Sequence, residues 1–146
     1  MARKQAQNEP HPFAADLRAV DLFEDLEPRD LDVLANVARD YHYDAGDVVV
    51  AEGDQSGRFH LIVSGRATVT VGDQVVAEFG PGSYFGELAM IDRQPRSATV
   101  TAAEELHTLS LASISMRPVL REHPEISFKM LEKLAARLRA TDAKLH

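Results

Sequence analysis

The stretch Phe85-Gly86-Glu87-Leu88-Ala89-Met90-Ile91-Asp92-Arg93-Gln94-Pro95-Arg96-Ser97-Ala98-Thr99-Val100 decides how this chain is read. Gly86 permits a positive φ or close approach of a ligand to the backbone. Glu87 to Asp92 holds good helix formers, enough for one or two turns, whose first N–H groups point outward as a ready anion site. Arg96 follows Pro95 at the entry to a strand, and a guanidinium can grip phosphate oxygens through two parallel hydrogen bonds. Glu87 can accept hydrogen bonds from hydroxyls, as the acidic residue of dinucleotide folds does for ribose. A compact sugar phosphate with a free hydroxyl suits this set. A plain surface ion pair between Glu87 and Arg96 suits it as well.

Around this stretch, from about Tyr41 to Leu111, the apolar pattern has a period of two and is rich in β-branched residues. Strands are expected at Val48–Val50, Phe59–Val63, Ala67–Val71, Val75–Phe79, Ala98–Ala102 and Leu106–Leu111. Turn signals such as Ser64-Gly65, Gly72-Asp73 and Gly80-Pro81-Gly82 separate them. Short strands with tight turns predict an antiparallel β-roll of the jelly-roll type. Before the roll, Phe13–Leu22 and Pro28–Ala38 carry apolar residues at helical spacing. After it, Ser113 to His146 returns to helical spacing, with Pro118 read in the first turn of a short helix and Pro124 at the head of a long one. The fold class is therefore mainly β with flanking helices. A flexible segment is expected over 1–12 and one domain over 13–146, divided into N-terminal helices (13–39), roll (40–112) and C-terminal helices (113–146).

The long helix steps through Leu131, Leu134, Leu138, Thr141 and Leu145 by three, four, three and four residues. That spacing fits either a homodimer seam or an amphipathic helix lying on its own roll.

The bulk composition excludes several function classes. The chain has 146 residues, no cysteine and a formal net charge of -7. Disulfide scaffolds, thiolate zinc sites and cysteine nucleophiles are ruled out. No apolar run approaches the ~20 residues needed to span a bilayer, so no membrane association is expected and the protein is read as cytoplasmic. The negative charge disfavours DNA; Arg3-Lys4 and Arg137-Leu138-Arg139 are the basic tips noted. The six histidines (11, 42, 60, 107, 123 and 146) form no compact ligand group in sequence, so no metal is expected, and no catalytic motif is present. Phe79, Tyr84 and Phe85 could stack on a base but are read as core or strand-end packing.

Phe85-Gly86-Glu87-Leu88-Ala89 followed by Arg96-Ser97-Ala98-Thr99-Val100 resembles the phosphate-binding cassette of cyclic-nucleotide-binding domains. These occur in the catabolite-activator family, in regulatory subunits of cyclic-AMP-dependent kinase and in nucleotide-gated channels. Gly46-Asp47, Glu52-Gly53-Asp54, Val63-Ser64-Gly65 and Gly80-Pro81-Gly82 fall in the family's order, and the resemblance spans roughly Leu22 to Thr141.

The resemblance implies that Glu87 accepts the ribose 2′-hydroxyl and Arg96 holds the exocyclic phosphate oxygens. Leu88, Ala89 and Ser97 complete the phosphate cradle, with Ala98 beside them, and Gly86 lets the ribose lie on the backbone. Val69 and Ala77 are expected under the purine. Arg137, with Leu134 as an apolar neighbour, caps the base, pairs with Asp142 across a dimer seam, or is solvated. Cyclic AMP (cAMP) is favoured over cyclic GMP (cGMP), from Ser97 after the cassette arginine. A non-enzymatic sensor that signals through its C-terminal helix is the expected function, with no catalytic cofactor. A DNA-binding helix-turn-helix of ~60–70 residues would follow the long helix in the catabolite-activator type. Output is therefore expected through an effector protein or a further effector domain. A relative of the same fold that has lost its ligand is the remaining alternative.

Overall fold

A computed structural model describes residues 12–145. Arg3, Lys4, His11 and most of the expected flexible segment lie outside the described residues, as does His146.

The N-terminal helices are α1 (Ala14–Arg18) and α2 (Pro28–Val37). The single helix expected over Phe13–Leu22 is interrupted: Val20 is extended and a 3₁₀ turn follows at Asp21–Phe23. The break lets Leu17, Val20, Leu22 and Phe23 all reach the interior, which one straight helix would not allow.

The roll comprises β1 (Arg39–Tyr43), β2 (Val48–Val50), β3 (Arg58–Ser64), β4 (Ala67–Val71), β5 (Gln74–Phe79), β6 (Tyr84–Phe85), β7 (Thr99–Ala102) and β8 (Leu106–Ala112). They form two antiparallel sheets, ordered β1-β8-β3-β6 and β2-β7-β4-β5. The expected strands are present, with no end moved by more than one residue. Two strands are additional, β1 and the two-residue β6. At the β3–β4 turn Gly65 has φ 91°, and a Cβ there would lie 2.9 Å from Leu106 Cα, so only glycine lets the two turns touch.

Burial is divided between two cores. Val50, Ile62, Ala67, Val69, Val100, Ala102 and Leu106 fill the inside of the roll. Phe59, Leu61, Leu109 and Leu111, on the opposite face of the first sheet, pack with Leu17, Phe23, Leu31, Leu34, Met116 and Ile126 from the helices. The period of two in β3 and β8 is what supplies both cores from single strands.

Two helices close the chain, α4 (Ser113–Glu122) and α5 (Pro124–Leu145). Pro118 is not in the first turn of α4 but inside the helix, where it removes one backbone donor. In α5, Ile126 and Met130 are buried and Leu134 packs on the helix-bearing core. Phe128, Leu131 and Leu138 are 64%, 60% and 64% exposed. The expected seam is therefore split: Leu134 faces inward, Leu131 and Leu138 outward, and the Leu145 side chain lies outside the described set. No described helix is long and apolar enough to cross a membrane.

Candidate functional site

A cleft of about 440 Å³ opens between the second sheet and the β6–β7 connection. Its polar wall is built by Gly86, Glu87, Leu88, Ala89, Arg96, Ser97 and Ala98, and its apolar wall by Val50, Val69, Phe79, Phe85 and Val100. Local sequence explains the polar wall. Gly86 takes φ 84° and turns the chain from β6 into α3 (Glu87–Asp92), whose Met90 N–H donates to the Gly86 carbonyl at 2.9 Å. Arg93 ends the helix in the left-handed region, φ 59°, which costs a non-glycine residue on the order of 1 kcal/mol. The chain then crosses back: Arg96 N–H donates to the Asp54 carbonyl and Gly53 N–H to the Arg96 carbonyl, at 2.9 and 2.8 Å.

Arg96 is 9% exposed. Its Nη2 donates to the Arg58 carbonyl, while Nε is buried without a partner. Burial pulls its pKa down, against the pull of Asp54 and Glu87. A cation so placed is held by the backbone and sets a positive charge in the cleft wall. Gly86 makes room for it, since the guanidinium lies where a Gly86 side chain would go.

Glu87 is engaged across the fold. Arg137 on α5 donates to its Oε1 at 2.9 Å and, through Nη2, to Asp21 at 2.7 Å and the Tyr84 hydroxyl at 3.0 Å. The Tyr84 hydroxyl donates to the same Asp21 carboxylate. Burial raises the Asp21 pKa, but the bonds from Arg137 and Tyr84 outweigh it and hold the carboxyl below its ordinary value. Burial and the Asp21 bond push Tyr84 up to about 12. This knot ties the 3₁₀ turn, the cassette and the last helix together.

The described residues 41–123 match the family model for the cyclic nucleotide-binding domain. The chain belongs to that family. It is 30% identical over 131 residues to the CRP-like cAMP-activated global transcriptional regulator of Mycobacterium tuberculosis, covering 85% of this chain and 58% of the relative. It is 38% identical over 109 residues to a cyclic nucleotide-gated potassium channel of Rhizobium etli, covering 75% of this chain and 30% of the channel. The N-terminal domain of a transcriptional regulator from Streptomyces coelicolor A3(2) superposes with a TM-score of 0.82 at 29% identity, over 88% of this chain and 95% of that one. The domain thus spans between about a third and three-fifths of the two curated relatives' lengths.

Within the cyclic nucleotide-binding domain the structure places some expected residues differently. Val69 lines the cleft, whereas Ala77, its partner across β4–β5, is not among the lining residues and packs against the core of the roll. Leu134 packs on the helix-bearing core and not at the cleft. Within the chain Arg137 is not a solvated arginine; its partners are Glu87, Asp21 and Tyr84. Phe79 and Phe85, read as packing alone, stack on each other at 5.7 Å and also line the cleft. Val50 is a lining residue outside the stretch Phe85–Val100, and Asp92, Gln94, Pro95 and Val100 are lining residues within it to which the sequence reading gives no individual role. Two histidines are closer than their spacing implies. His42 and His107 stack at 4.3 Å across β1–β8, and with Asp40 they bring three ligand atoms within 4.8 Å of one another.

Proposed function

We propose that the domain is a sensor that binds one cyclic nucleotide in the 440 Å³ cleft and carries out no chemistry. One observation carries the reading: a buried arginine, a carboxylate and an apolar wall line one cavity. Arg96 holds the phosphate, with the Leu88 and Ala89 N–H groups and Ser97 completing the cradle beside Ala98. Gly86 admits the ribose, whose 2′-hydroxyl donates to Glu87. Val50, Val69 and Val100 take the flat base by burial of apolar surface.

Cyclic AMP is the preferred ligand and cyclic GMP the weaker one. The name of the M. tuberculosis relative and the serine at position 97 support this order. Signalling follows from the shared carboxylate. Ribose capture and the docking of α5 both draw on Glu87, so ligand biases where α5 sits through its differential affinity for the two helix positions. The exposed Phe128, Leu131 and Leu138 stripe of α5 would pair with a second copy. The output passes to an effector protein or effector domain. The transcriptional regulators among the relatives support the reading of a sensor half of a catabolite-activator-type protein.

Calorimetry with cAMP and cGMP tests the proposal on wild type, Glu87→Ala and Arg96→Ala. Arg96→Ala is expected to weaken cAMP binding by about 2–5 kcal/mol, the range for truncating one partner of a buried charge pair. Arg96→Lys should not restore it, because an ammonium lacks the fork. Wild-type affinity in Arg96→Ala would refute the site.

A further inference from the structure

On the far side of the cassette lies a second cleft of about 440 Å³ that shares no lining residue with the first. Four arginines line it: Arg58 from β3, Arg93 from the end of α3, and Arg117 and Arg121 from α4. No carboxylate is among its described lining residues, and none of the four arginines makes an ion pair with a described carboxylate. The chain has 23 acidic residues against 16 basic ones, so this absence stands out against the protein's own charge. Arg93, Arg117 and Arg121 are exposed and Arg58 is half-buried. Arg58 Nη1 is bound to the Tyr41 hydroxyl at 2.9 Å, and Arg117 Nε reaches Ser113 Oγ at 3.3 Å, which fixes two of the guanidiniums in place.

The N-terminus of α4 opens on the same cleft. It has no side-chain cap and no acidic residue in its first turn, so its positive end adds to the arginines, with the Ser113 N–H alone taken by the Gly57 carbonyl at 2.8 Å. Four like charges in one concavity repel each other. The arrangement is relieved by a multivalent anion, and guanidiniums favour phosphoryl oxygens because of their paired, planar donors. The cleft falls within the ~300–1,000 Å³ range of small-molecule sites and is too large for one phosphoryl group alone.

We propose that this cleft binds a linear oligophosphate of two or more phosphoryl groups, either free or as the tail of a nucleotide. It would act on the cassette from behind. Arg93 is the residue that ends α3, and the Arg58 carbonyl is the acceptor that holds Arg96. The proposal does not rest on cyclic-nucleotide binding in the first cleft.

The test is calorimetry and thermal shift with inorganic pyrophosphate and, separately, ATP, on the full chain with and without saturating cAMP. Pyrophosphate should bind in both conditions, and Arg117→Gln/Arg121→Gln should lose at least about tenfold in affinity, on the order of 1.4 kcal/mol. Cyclic AMP affinity of that variant should equal wild type, which separates this cleft from the cassette. ATP binding tighter than pyrophosphate would assign a nucleotide tail, and equal affinity a free oligophosphate. Equal pyrophosphate affinity in wild type and variant would overturn the proposal, as would sulfate binding as tightly at matched ionic strength. Should the double variant fail to fold, Arg117→Gln and Arg121→Gln are each read singly by the same criteria.

Discussion

Arg137 on the last helix and Glu87 at the first turn of the cassette are joined at 2.9 Å although fifty residues separate them in the chain. The bond is one of three that the guanidinium makes, and the other two reach Asp21 and Tyr84. A single side chain therefore fastens α5 to the segment that lines the cleft.

Arg137→Ala should release α5. Hydrogen bonds to charged groups are worth about 1.5–3 kcal/mol, and partial exposure of this side chain reduces the figure to about 1–2 kcal/mol. Amide exchange in the second half of α5 should accelerate by roughly tenfold in the absence of ligand. Tyr84→Phe keeps the Glu87 bond and should have a smaller effect. Unchanged exchange in Arg137→Ala would mean that the helix is held by its other contacts, Ile126, Met130 and Leu134 in the core and Lys129 and Lys133 against Glu24 and Asp25.

Gly86→Ala should cost more stability than Gly46→Ala. Both glycines have positive φ, 84° and 93°, so both alanines pay about 1 kcal/mol of backbone strain. At Gly46 nothing lies within 4 Å of the new Cβ, while at Gly86 it would sit 2.5 Å from the Arg58 carbonyl oxygen and against the Arg96 guanidinium. The extra cost at Gly86 should reach about 1–3 kcal/mol by urea unfolding, with loss of cAMP affinity. Equal urea midpoints for the two variants would show that the cassette yields freely.

Acid should weaken the fold through His60. Burial lowers its pKa from 6.5 to about 3, with Arg96 and Arg58 adding to the effect; its Nδ1 lies 3.1 Å from Thr108 Oγ1 and its Nε2 is buried without a partner. Between those pH values the unfolded chain holds a proton that the folded chain does not. The contribution is complete above pH 6.5 and is lost as pH falls toward 3. From pH 7 to pH 5 it amounts to about 2 kcal/mol. Urea titrations of wild type and His60→Gln at the two pH values measure it, and the variant should show a shallower pH dependence. Parallel curves would exclude His60 as the source.

Leu131→Glu/Leu138→Glu should leave the fold intact and abolish self-association, because both side chains are exposed on α5. Sedimentation velocity reads the outcome. A wild-type protein that sediments as a monomer at all concentrations would remove the homodimer from the proposal.

The roll is legible in the sequence because its strands alternate and its turns carry glycine at fixed intervals. β1 escapes notice because Arg39-Asp40-Tyr41-His42-Tyr43 sends only its two tyrosines toward His60, so the alternation is of aromatic and charged residues and not of apolar and polar ones. β6 has two residues, too few to show any period. Gly86, Glu87, Arg96 and Ser97 are contiguous enough to be read as a group. The partners of Arg137 are not: Asp21 and Tyr84 lie 116 and 53 residues away, and no local spacing encodes such a meeting. The arginine cleft is invisible for the same reason, being assembled from β3, α3 and α4.

The separation of the two cores has an evolutionary consequence. The apolar wall of the ligand cleft belongs to the interior of the roll, while α1, α2, α4 and α5 pack on the opposite face of the first sheet. Mutations that remodel the outer surface of the helical layer, or attach it to new machinery, leave this apolar wall untouched, while the Arg137–Glu87 bond keeps the two parts in touch. Such independence lets natural selection exchange the output of the domain while its input drifts little, which suits a unit found in a potassium channel and in a transcriptional regulator alike.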